Sequence, residues 1–303
     1  QNIGKVTNSG VEIELDYNAF KNKDWSVSVG ANATFVKNKI KNLPATMKEN
    51  GYISGSKKWL EGKSIYEFWL RQWHGVDPQT GDGLYVADVS KYNQGNIGTG
   101  DGNITQSQFD EYKKTVVTID GKELTNSYTY AKYDFSGSSI PDVYGGFNVR
   151  VSYKNFELAA VFSYQLGGQI LDTNYATMMS MTEFGYAQRP DLLKAWKQAG
   201  DITEVPRIDN SAAHTTNIGQ SYSTRWLTSS DYLNLRSVTI GYQLPKTWLS
   251  KVMLKSARLN LTAENLFMLK ARQGLNPMAN YSGVTYNEYM PSRNITLGLN
   301  VSF

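Results

Sequence analysis

The sequence contains no cysteine and only two histidines among its 303 residues. It therefore has neither a disulfide framework nor a thiolate metal site. It also has no long uncharged apolar run, and its mean hydropathy of −0.45 excludes a protein that crosses a membrane with helices. Lys and Arg are scattered rather than clustered, and a net charge of +4 gives poor support for nucleic-acid binding.

Alternation of apolar and polar residues is the main pattern that the sequence does contain. Residues 291–303 alternate strictly and end on Phe303. A period of two predicts a strand with one apolar and one polar side. The 20 Tyr, 7 Trp and 11 Phe would suit the aromatic girdles of a membrane barrel, although sugar-binding β-proteins are also rich in aromatics.

The alternation recurs along the chain and predicts about nine strands. Leu233 and Leu235 are out of phase with Val238, which predicts a β-bulge near residues 236–237. Residues 190–197 form a predicted short helix with Pro190 in its first turn. The predicted strands are 11–17, 25–35, 63–75, 83–88, 143–151, 156–166, 231–244, 255–267 and 291–303.

Short and long connections alternate between these strands. Short turns are predicted near 21–24, 77–82, 153–155 and 245–254. Long loops are predicted near 41–61, 89–141, 169–229 and 269–290. Outer-membrane barrels have short periplasmic turns and long extracellular loops, whereas a β-sandwich has no reason to sort its connections. We therefore predict an all-β fold, an antiparallel transmembrane β-barrel with the short turns at the periplasm.

Several segments, in order along the chain, resemble SusC/RagA-type TonB-dependent transporters of the Bacteroidetes. Each segment alone is weakly specific, but together they span most of the sequence. They are residues 8–15 (NSGVEIEL), 75–77 (GVD) with 80–81 (TG), 140–146 (IPDVYGG), 153–158 (YKNFEL), 232–236 (YLNLR) with 241–245 (GYQLP), 263–267 (AENLF), 274–277 (GLNP) and 293–303 (RNITLGLNVSF).

The resemblance implies a barrel of about 22 strands whose lumen holds an amino-terminal plug. Residues 1–303 would form its C-terminal portion, about the last nine strands, without the signal peptide, plug domain and first strands. The odd strand number also favours a missing piece, because single-chain bacterial barrels normally have an even number. The implied partners are a SusD-like surface lipoprotein, TonB acting through the absent plug, the barrel-assembly machinery, outer-membrane lipid, and a glycan or peptide substrate.

The site residues suggested by the sequence are aromatic rather than catalytic. Rings in the long loops could stack on sugars, although such rings also anchor loops or contact a partner protein. The substrate-contact candidates are Trp59, Tyr175, Trp226, Tyr281 and Tyr286, and Tyr92, Tyr128 and Tyr130 belong to the same loops. In outer-membrane proteins a terminal aromatic is part of the assembly signal, which here would comprise Leu299, Val301 and Phe303; an ordinary strand end is the alternative.

No cofactor and no catalytic constellation are expected. His74 and His214 are more readily explained as structural residues than as catalysts or ligands. Residues 101–105 (DGNIT) faintly resemble a calcium loop but lack its glycine at position six, so a solvated turn is favoured over structural calcium near Asp101. The polar residues Arg150, Asn260 and Glu264 would hydrogen-bond the plug or water in the lumen.

TonB-dependent import of a nutrient, preferably an oligosaccharide, is the leading functional hypothesis. The alternative is a soluble or surface-attached carbohydrate-binding β-protein, which would bury the apolar strand faces and need no detergent. A glycoside hydrolase is disfavoured, because such an enzyme needs two carboxylates flanking a cleft and the sequence pairs none.

Overall fold

The computed structural model describes residues 4–180, 185, 187–212, 214, 218, 222–250 and 254–303. Eighteen strands lie within these residues: β1 Lys5–Lys21, β2 Trp25–Asn42, β3 Tyr52–Ser54, β4 Lys57–Trp59, β5 Glu67–Arg71, β6 Trp73–Val76, β7 Gly83–Val86, β8 Val116–Ile119, β9 Lys122–Thr125, β10 Tyr133–Ser138, β11 Val143–Tyr153, β12 Phe156–Leu166, β13 Gln169–Leu171, β14 Leu227–Ser229, β15 Tyr232–Gln243, β16 Ser256–Glu264, β17 Met268–Lys270 and β18 Asn294–Ser302. The α-helices are α1 Gln106–Thr115, α2 Thr173–Met178 and α3 Lys246–Leu249. Short 3-10 helices cover Ala45–Met47, Gln94–Asn96, Tyr128–Tyr130, Pro190–Lys194 and Thr224–Trp226. None of the helices in this described part is long and apolar enough to cross a membrane.

One antiparallel sheet dominates the chain. Its strand order is β1-β2-β11-β12-β15-β16-β18, and the short β17 pairs with β15 beyond the end of β16. Among the described strands, β1 and β18 are the two edges of this sheet. The bulge predicted in β15 is confirmed: Val161 pairs with Ser237 and Phe162 with Leu235, which leaves Arg236 without a partner on β12.

One face of the sheet is apolar from edge to edge. Because directly paired residues point to the same side, the register aligns apolar residues in rows across all seven strands. One such row is formed by Phe20, Val27, Val151, Leu158, Ile240, Leu261 and Leu297. Many of these side chains are exposed, including Val11, Ile13, Leu15, Phe35, Leu158, Ile240, Leu259, Leu261, Ile295, Leu297, Leu299, Val301 and Phe303.

Aromatic residues line the apolar face next to the short turns. Trp25 pairs with Tyr153 at a ring distance of 4.3 Å, and Phe156 pairs with Tyr242 at 4.4 Å. Amphipathic aromatic rings are enriched where a membrane meets water. This row therefore marks one boundary of the apolar band.

The opposite face of the sheet is polar and internally bonded. Glu157 accepts ion pairs from Arg150 at 3.6 Å and Arg258 at 3.1 Å. Further along, the Thr239 and Thr262 hydroxyls lie 3.0 Å apart, and Asn294 donates to Glu264 at 3.3 Å. These charged and hydroxyl groups fit a water-filled or protein-filled lumen and not lipid.

The three long connections of the sheet all leave from the end opposite the aromatic row. Residues 43–142 join β2 to β11, residues 167–231 join β12 to β15, and residues 271–293 join β17 to β18. They pack on one another, and we call this assembly the cap. Its buried apolar cluster comprises Phe68, Leu70, Leu171, Ala176, Met179, Ala195, Val205, Trp226 and Val284, so each connection contributes.

The predicted third and fourth strands do not belong to the main sheet, which was the largest error of the sequence-based prediction. Segment 63–75 forms β5 and β6, which lie in two different small sheets, and 83–88 contains β7. Phe68 and Leu70 face the core of the cap. The strand path of the main sheet therefore has seven strands and not nine, and β2 pairs directly with β11.

The predicted turn at 77–82 exists but was placed at the wrong end of the sheet. Gly81 donates its amide to the Asp77 carbonyl at 2.8 Å and has a φ of 74°, as a tight turn requires. The indole Nε1 of Trp196 donates to the Pro78 carbonyl at 2.9 Å, so the turn packs inside the cap. The turns at 22–24, 154–155 and 244–255 do share the opposite end.

The segment predicted as a polar surface loop, 89–141, has its own folded core. It contains α1 and strands β8 to β10. The helix starts with a capping box, in which Thr105 and Gln108 exchange side-chain and backbone hydrogen bonds. The predicted short helix after Arg189 is observed as a 3-10 helix with Pro190 at its start.

Candidate functional site

A polar junction holds two of the three connections of the cap together. Asp172 caps the N-terminus of α2, accepting the Tyr175 amide at 3.0 Å, and it also pairs with Arg272 at 3.2 Å. The side chain of Asp172 is 6% exposed and that of Arg272 is 24% exposed. One buried carboxylate thus ties α2 to the connection before β18. We call Asp172, Arg272 and Tyr175 the cap junction.

Tyr175 lies at the centre of this junction. The Arg272 guanidinium lies 3.6 Å from the ring centroid, and the Trp226 ring packs on it edge-on at 6.0 Å. The Tyr175 hydroxyl donates to Asp191 at 3.1 Å. Burial alone would raise the pKa of the Asp191 carboxyl, but hydrogen bonds from Tyr175 and Arg189 and the nearby positive charges bring that pKa below its ordinary value.

The junction fixes the backbone of the connection that carries the most exposed tyrosines. Leu171 exchanges backbone hydrogen bonds with Gly283 at 2.8 Å and Thr285 at 3.2 Å. Thr173 donates to the Thr285 carbonyl, and the Asn287 amide donates to the Asn174 side chain at 2.9 Å. Residues 283–287 are therefore held in place against the start of α2.

Three tyrosines project from this fixed connection, and we call them the tyrosine surface. Tyr281 is 59% exposed, Tyr286 is 65% exposed and Tyr289 is 93% exposed. Tyr281 also packs edge-on against Tyr66 at 5.2 Å. Rings with apolar faces and hydroxyl edges can stack on a ligand and hydrogen-bond to it at low entropic cost. Tyr281 and Tyr286 were candidates from the sequence, and Tyr289 was missed although it lies only three residues further on.

The other aromatic candidates lie in different surroundings. Trp59 is half-buried and packs on Tyr52 at 5.4 Å. Tyr175 is half-buried in the cap junction. Trp226 is 2% exposed within the apolar cluster, so its ring is not open to direct contact in this structure, and its role as a substrate contact stays a prediction. Its position explains this, because the ring fills the core on which the exposed segments rest.

Tyr92 and Tyr130 pack around Tyr112 and not at an open surface. The ring of Tyr92 stacks on Tyr112 at 5.2 Å and meets Tyr130 edge-on at 4.9 Å. Burial, with nearby acidic charge, raises the pKa of Tyr112 to about 12. Tyr128 lies under the Arg71 guanidinium, whose Nε donates to the Tyr128 carbonyl at 2.9 Å. These rings stabilise the connection from β2 to β11.

Lys57 and Arg225 are half-buried cations that the sequence did not single out. Lys57 donates to the Tyr66 carbonyl at 2.8 Å and lies 3.1 Å from the centre of the Phe68 ring. Burial lowers the pKa of Lys57 to about 7, against the opposing charge of Glu67. Arg225 lies between the Trp73 and Trp226 rings at 4.7 and 4.3 Å, and burial lowers its pKa to about 10.

The two histidines differ in exposure. His214 is buried, with Nε2 at 2.9 Å from the Arg207 carbonyl and Nδ1 at 3.8 Å from Asp82, whereas His74 is exposed. Asp101 lies in the turn just before α1. In the parts of the chain that the structure describes, no group of three or more His, Asp or Glu side chains is placed to hold a metal ion. The expectation of a solvated turn near Asp101, with structural calcium as the alternative, stays a prediction.

Comparison with known proteins shows which receptors the chain is similar to. No protein-family model matches the chain. The chain is 27% identical over 321 residues to TonB-dependent receptor P3 of Formosa agariphila, covering all of this chain and 29% of that protein. It is 23% identical over 316 residues to TonB-dependent receptor SusC of Bacteroides thetaiotaomicron, covering 27% of that protein. The chain thus spans about 30% of the length of these relatives.

Solved structures show the same fold. The structure of the RagAB peptide transporter matches with a TM-score of 0.77 at 24% identity, covering all of this chain and 30% of that one. The RagAB peptide importer in the closed-closed state matches with a TM-score of 0.75 at 25% identity. The antiparallel sheet corresponds to part of that barrel, which agrees with the fold predicted from the sequence. The chain is thus similar over its whole length to TonB-dependent receptors of the SusC type, and it shares the fold of the matched part of RagAB.

Proposed function

We propose that the protein containing this chain imports a nutrient across the outer membrane in a TonB-dependent manner. In this proposal residues 1–303 form a C-terminal portion of the barrel wall and its extracellular cap. The observation that carries the proposal is a sheet with one apolar and one polar face, whose long connections all form a cap at the same end. An apolar face that runs across seven strands needs lipid, and a polar face needs a lumen.

The height of the apolar face supports a membrane location. On β2 this face runs from Trp25 to Phe35, ten residue steps. At ~3.3 Å per residue and a strand tilt of ~40°, the face is ~25 Å tall. That is the height of the apolar band of outer-membrane barrels, about 25 Å. The cap would then lie outside the cell and the short turns in the periplasm.

The alternative of a soluble carbohydrate-binding β-protein is less well supported. A sandwich would bury its apolar strand faces against a second sheet. Here those faces carry exposed Leu, Ile and Val side chains on both edge strands and on the inner strands between them. Extraction tests the difference: a receptor stays in the membrane through salt and alkaline carbonate washes and needs detergent, whereas a soluble protein is released.

The partners follow from the same proposal. A SusD-like surface lipoprotein would cover the cap, TonB would act through a plug, and outer-membrane lipid would surround the apolar face. The barrel-assembly machinery would recognise Leu299 and Val301, exposed on the apolar face of β18, and Phe303, exposed directly after this strand. The relatives named TonB-dependent receptor and SusC, and the RagAB structure, support the lipoprotein and TonB as partners.

An oligosaccharide is the substrate class that we propose, with the tyrosine surface as its contact. Stacking on a sugar ring needs exposed aromatic faces, which Tyr281, Tyr286 and Tyr289 supply. A peptide is the second candidate, because the similar solved structures are named a peptide transporter and a peptide importer.

Uptake by intact cells tests the function and the substrate class together. Cells with and without the gene would be given fluorescent oligosaccharides or fluorescent peptides of matched mass, and a strain without TonB is the control for energised import. Gene-dependent and TonB-dependent uptake of only the oligosaccharides is the expected result. Uptake of only the peptides would show that the substrate is a peptide and not an oligosaccharide. Uptake that is unchanged in the strain without TonB would refute the transport mechanism.

A further inference from the structure

Three lysines alternate along the cap end of β2. Lys37, Lys39 and Lys41 are all exposed, whereas Ile40 between them is 1% exposed. On that inner side, Asn38 accepts hydrogen bonds from the Ser64 hydroxyl and the Ile65 amide, both at 2.9 Å. The inner side of this strand end therefore contacts the cap, and the lysines lie on the outer side. We call them the lysine row.

The lysine row continues the apolar face of the sheet. Val11 pairs with Phe35 at the upper end of that face, and the next pairs on the same side are Ser9 with Lys37 and Thr7 with Lys39. The outer surface of the β1–β2 hairpin thus changes from apolar to basic within two residues.

No acidic side chain neutralises these lysines within the described residues. None of the ion pairs there includes Lys37, Lys39 or Lys41, and β1 opposes them with Ser9 and Thr7. Neighbouring like charges repel one another, so three lysines on one surface favour an anionic ligand.

The lysine row begins at the height of the lipid headgroups. Two residues of tilted strand rise ~5 Å, so Lys37 lies ~5 Å, Lys39 ~10 Å and Lys41 ~15 Å beyond the apolar band. The polar region on each side of a bilayer is about 5–8 Å thick. Flexible lysine stems can bridge the remaining distance while their ammonium groups stay in the polar layer.

From this geometry we infer that Lys37, Lys39 and Lys41 bind the phosphate groups of anionic lipid in the outer leaflet of the membrane. The inference rests on the proposed membrane location of the sheet and adds a lipid site that import itself does not require. Each lysine near an anionic surface contributes an attraction that salt weakens.

The test measures lipid A bound to the full-length receptor. Wild-type protein would be reconstituted into phosphatidylcholine nanodiscs that contain either diphosphoryl or dephosphorylated lipid A, and bound lipid A would be quantified by native mass spectrometry. The test variant is Lys37→Gln/Lys39→Gln/Lys41→Gln. The matched control is Lys91→Gln/Lys113→Gln/Lys122→Gln, which removes the same charge from exposed positions of the cap.

We expect the wild-type receptor to retain diphosphoryl lipid A about 100-fold more strongly than the test variant. The control variant should behave like wild type, and dephosphorylated lipid A should bind all three proteins equally weakly. Equal retention by wild type and test variant would overturn the inference. The inference would also be overturned if the test variant lost a co-purifying protein partner while its lipid A binding stayed unchanged. A wild-type receptor that fails to insert into lipid would instead refute the proposed function, and the inference with it.

Discussion

A charge placed on the apolar face of the sheet should destabilise the protein far more than the same charge on the polar face. Val149 on β11 faces the apolar side in a row with Val29 and Ala160, and the preceding Asn148 is exposed on the polar side. Val149 lies six residues from Val143 and four from Tyr153, the two ends of the strand. At ~3.3 Å per residue and ~40° tilt, it is ~15 Å below one boundary and ~10 Å above the other.

That depth is close to the middle of the bilayer, where arginine on the lipid side of a barrel costs about 2–4 kcal/mol. We therefore expect Val149→Arg to lower the free energy of unfolding by about 3 kcal/mol, or roughly 150-fold in the folded-to-unfolded ratio. Asn148→Arg places the same side chain at the same depth on the polar face and should change that free energy by less than about 0.5 kcal/mol.

The measurement is reversible denaturant unfolding of the full-length receptor in lipid vesicles, followed by tryptophan fluorescence. Comparing two neighbouring positions controls for the depth in the membrane and for the side chain that is introduced. Equal losses of stability for the two variants would refute the assignment of the faces. A larger loss for Asn148→Arg would mean that the sheet faces lipid with the other side.

Three further outcomes are expected from the cap, each measured on the full-length receptor. Asp172→Ala removes the N-terminal capping residue of α2 and leaves the half-buried Arg272 without its ion-pair partner. The free energy of unfolding of the cap should therefore fall by about 3 kcal/mol, and the cap should become sensitive to limited proteolysis. Unchanged resistance to the protease would show that the cap junction is not stabilising. Because the pKa of Lys57 is lowered in the folded protein, the unfolded chain binds one more proton than the folded chain above about pH 7, so the stability of the cap should rise from about pH 7 toward pH 10. Urea unfolding midpoints measured across this range should show the rise for the wild type, and Lys57→Met should flatten it. A wild-type midpoint that does not change with pH would contradict the burial of this amine. Tyr281→Ala with Tyr286→Ala should weaken oligosaccharide binding about tenfold in calorimetry without changing the unfolding midpoint, and full affinity in this variant would exclude the tyrosine surface.

The strands of the main sheet were predictable because the alternation of apolar and polar residues is a local feature of the sequence. Alternation located all seven strands of the main sheet, and it placed β11, β12, β15, β16 and β18 within a few residues of their observed bounds. The phase slip between Leu235 and Val238 also predicted the bulge, because an extra residue in a strand always shifts the period. Strand ends were predicted less well: β1 and β2 extend beyond the apolar band, where the polar residues give no alternation to follow.

The candidate site was less predictable, because exposure depends on packing between segments far apart in sequence. Trp226 and Tyr281 are equally plausible surface rings in the sequence, but one lies in the core of the cap and the other outside it. The ion pair between Asp172 and Arg272 joins residues 100 positions apart, for which a single sequence gives no signal. Lys57 is likewise an ordinary lysine until Phe68 packs against its amine.

The sequence by itself determined that this protein has two-faced antiparallel strands joined by alternately short and long connections, because both properties follow from the order of neighbouring residues. Only the tertiary structure decided which alternating strands form the wall and which form the cap. β5 and β12 have the same period, yet Phe68 meets protein and Leu158 is exposed. An apolar side chain can be buried by lipid or by a protein core, and only the partners supplied by the fold distinguish the two.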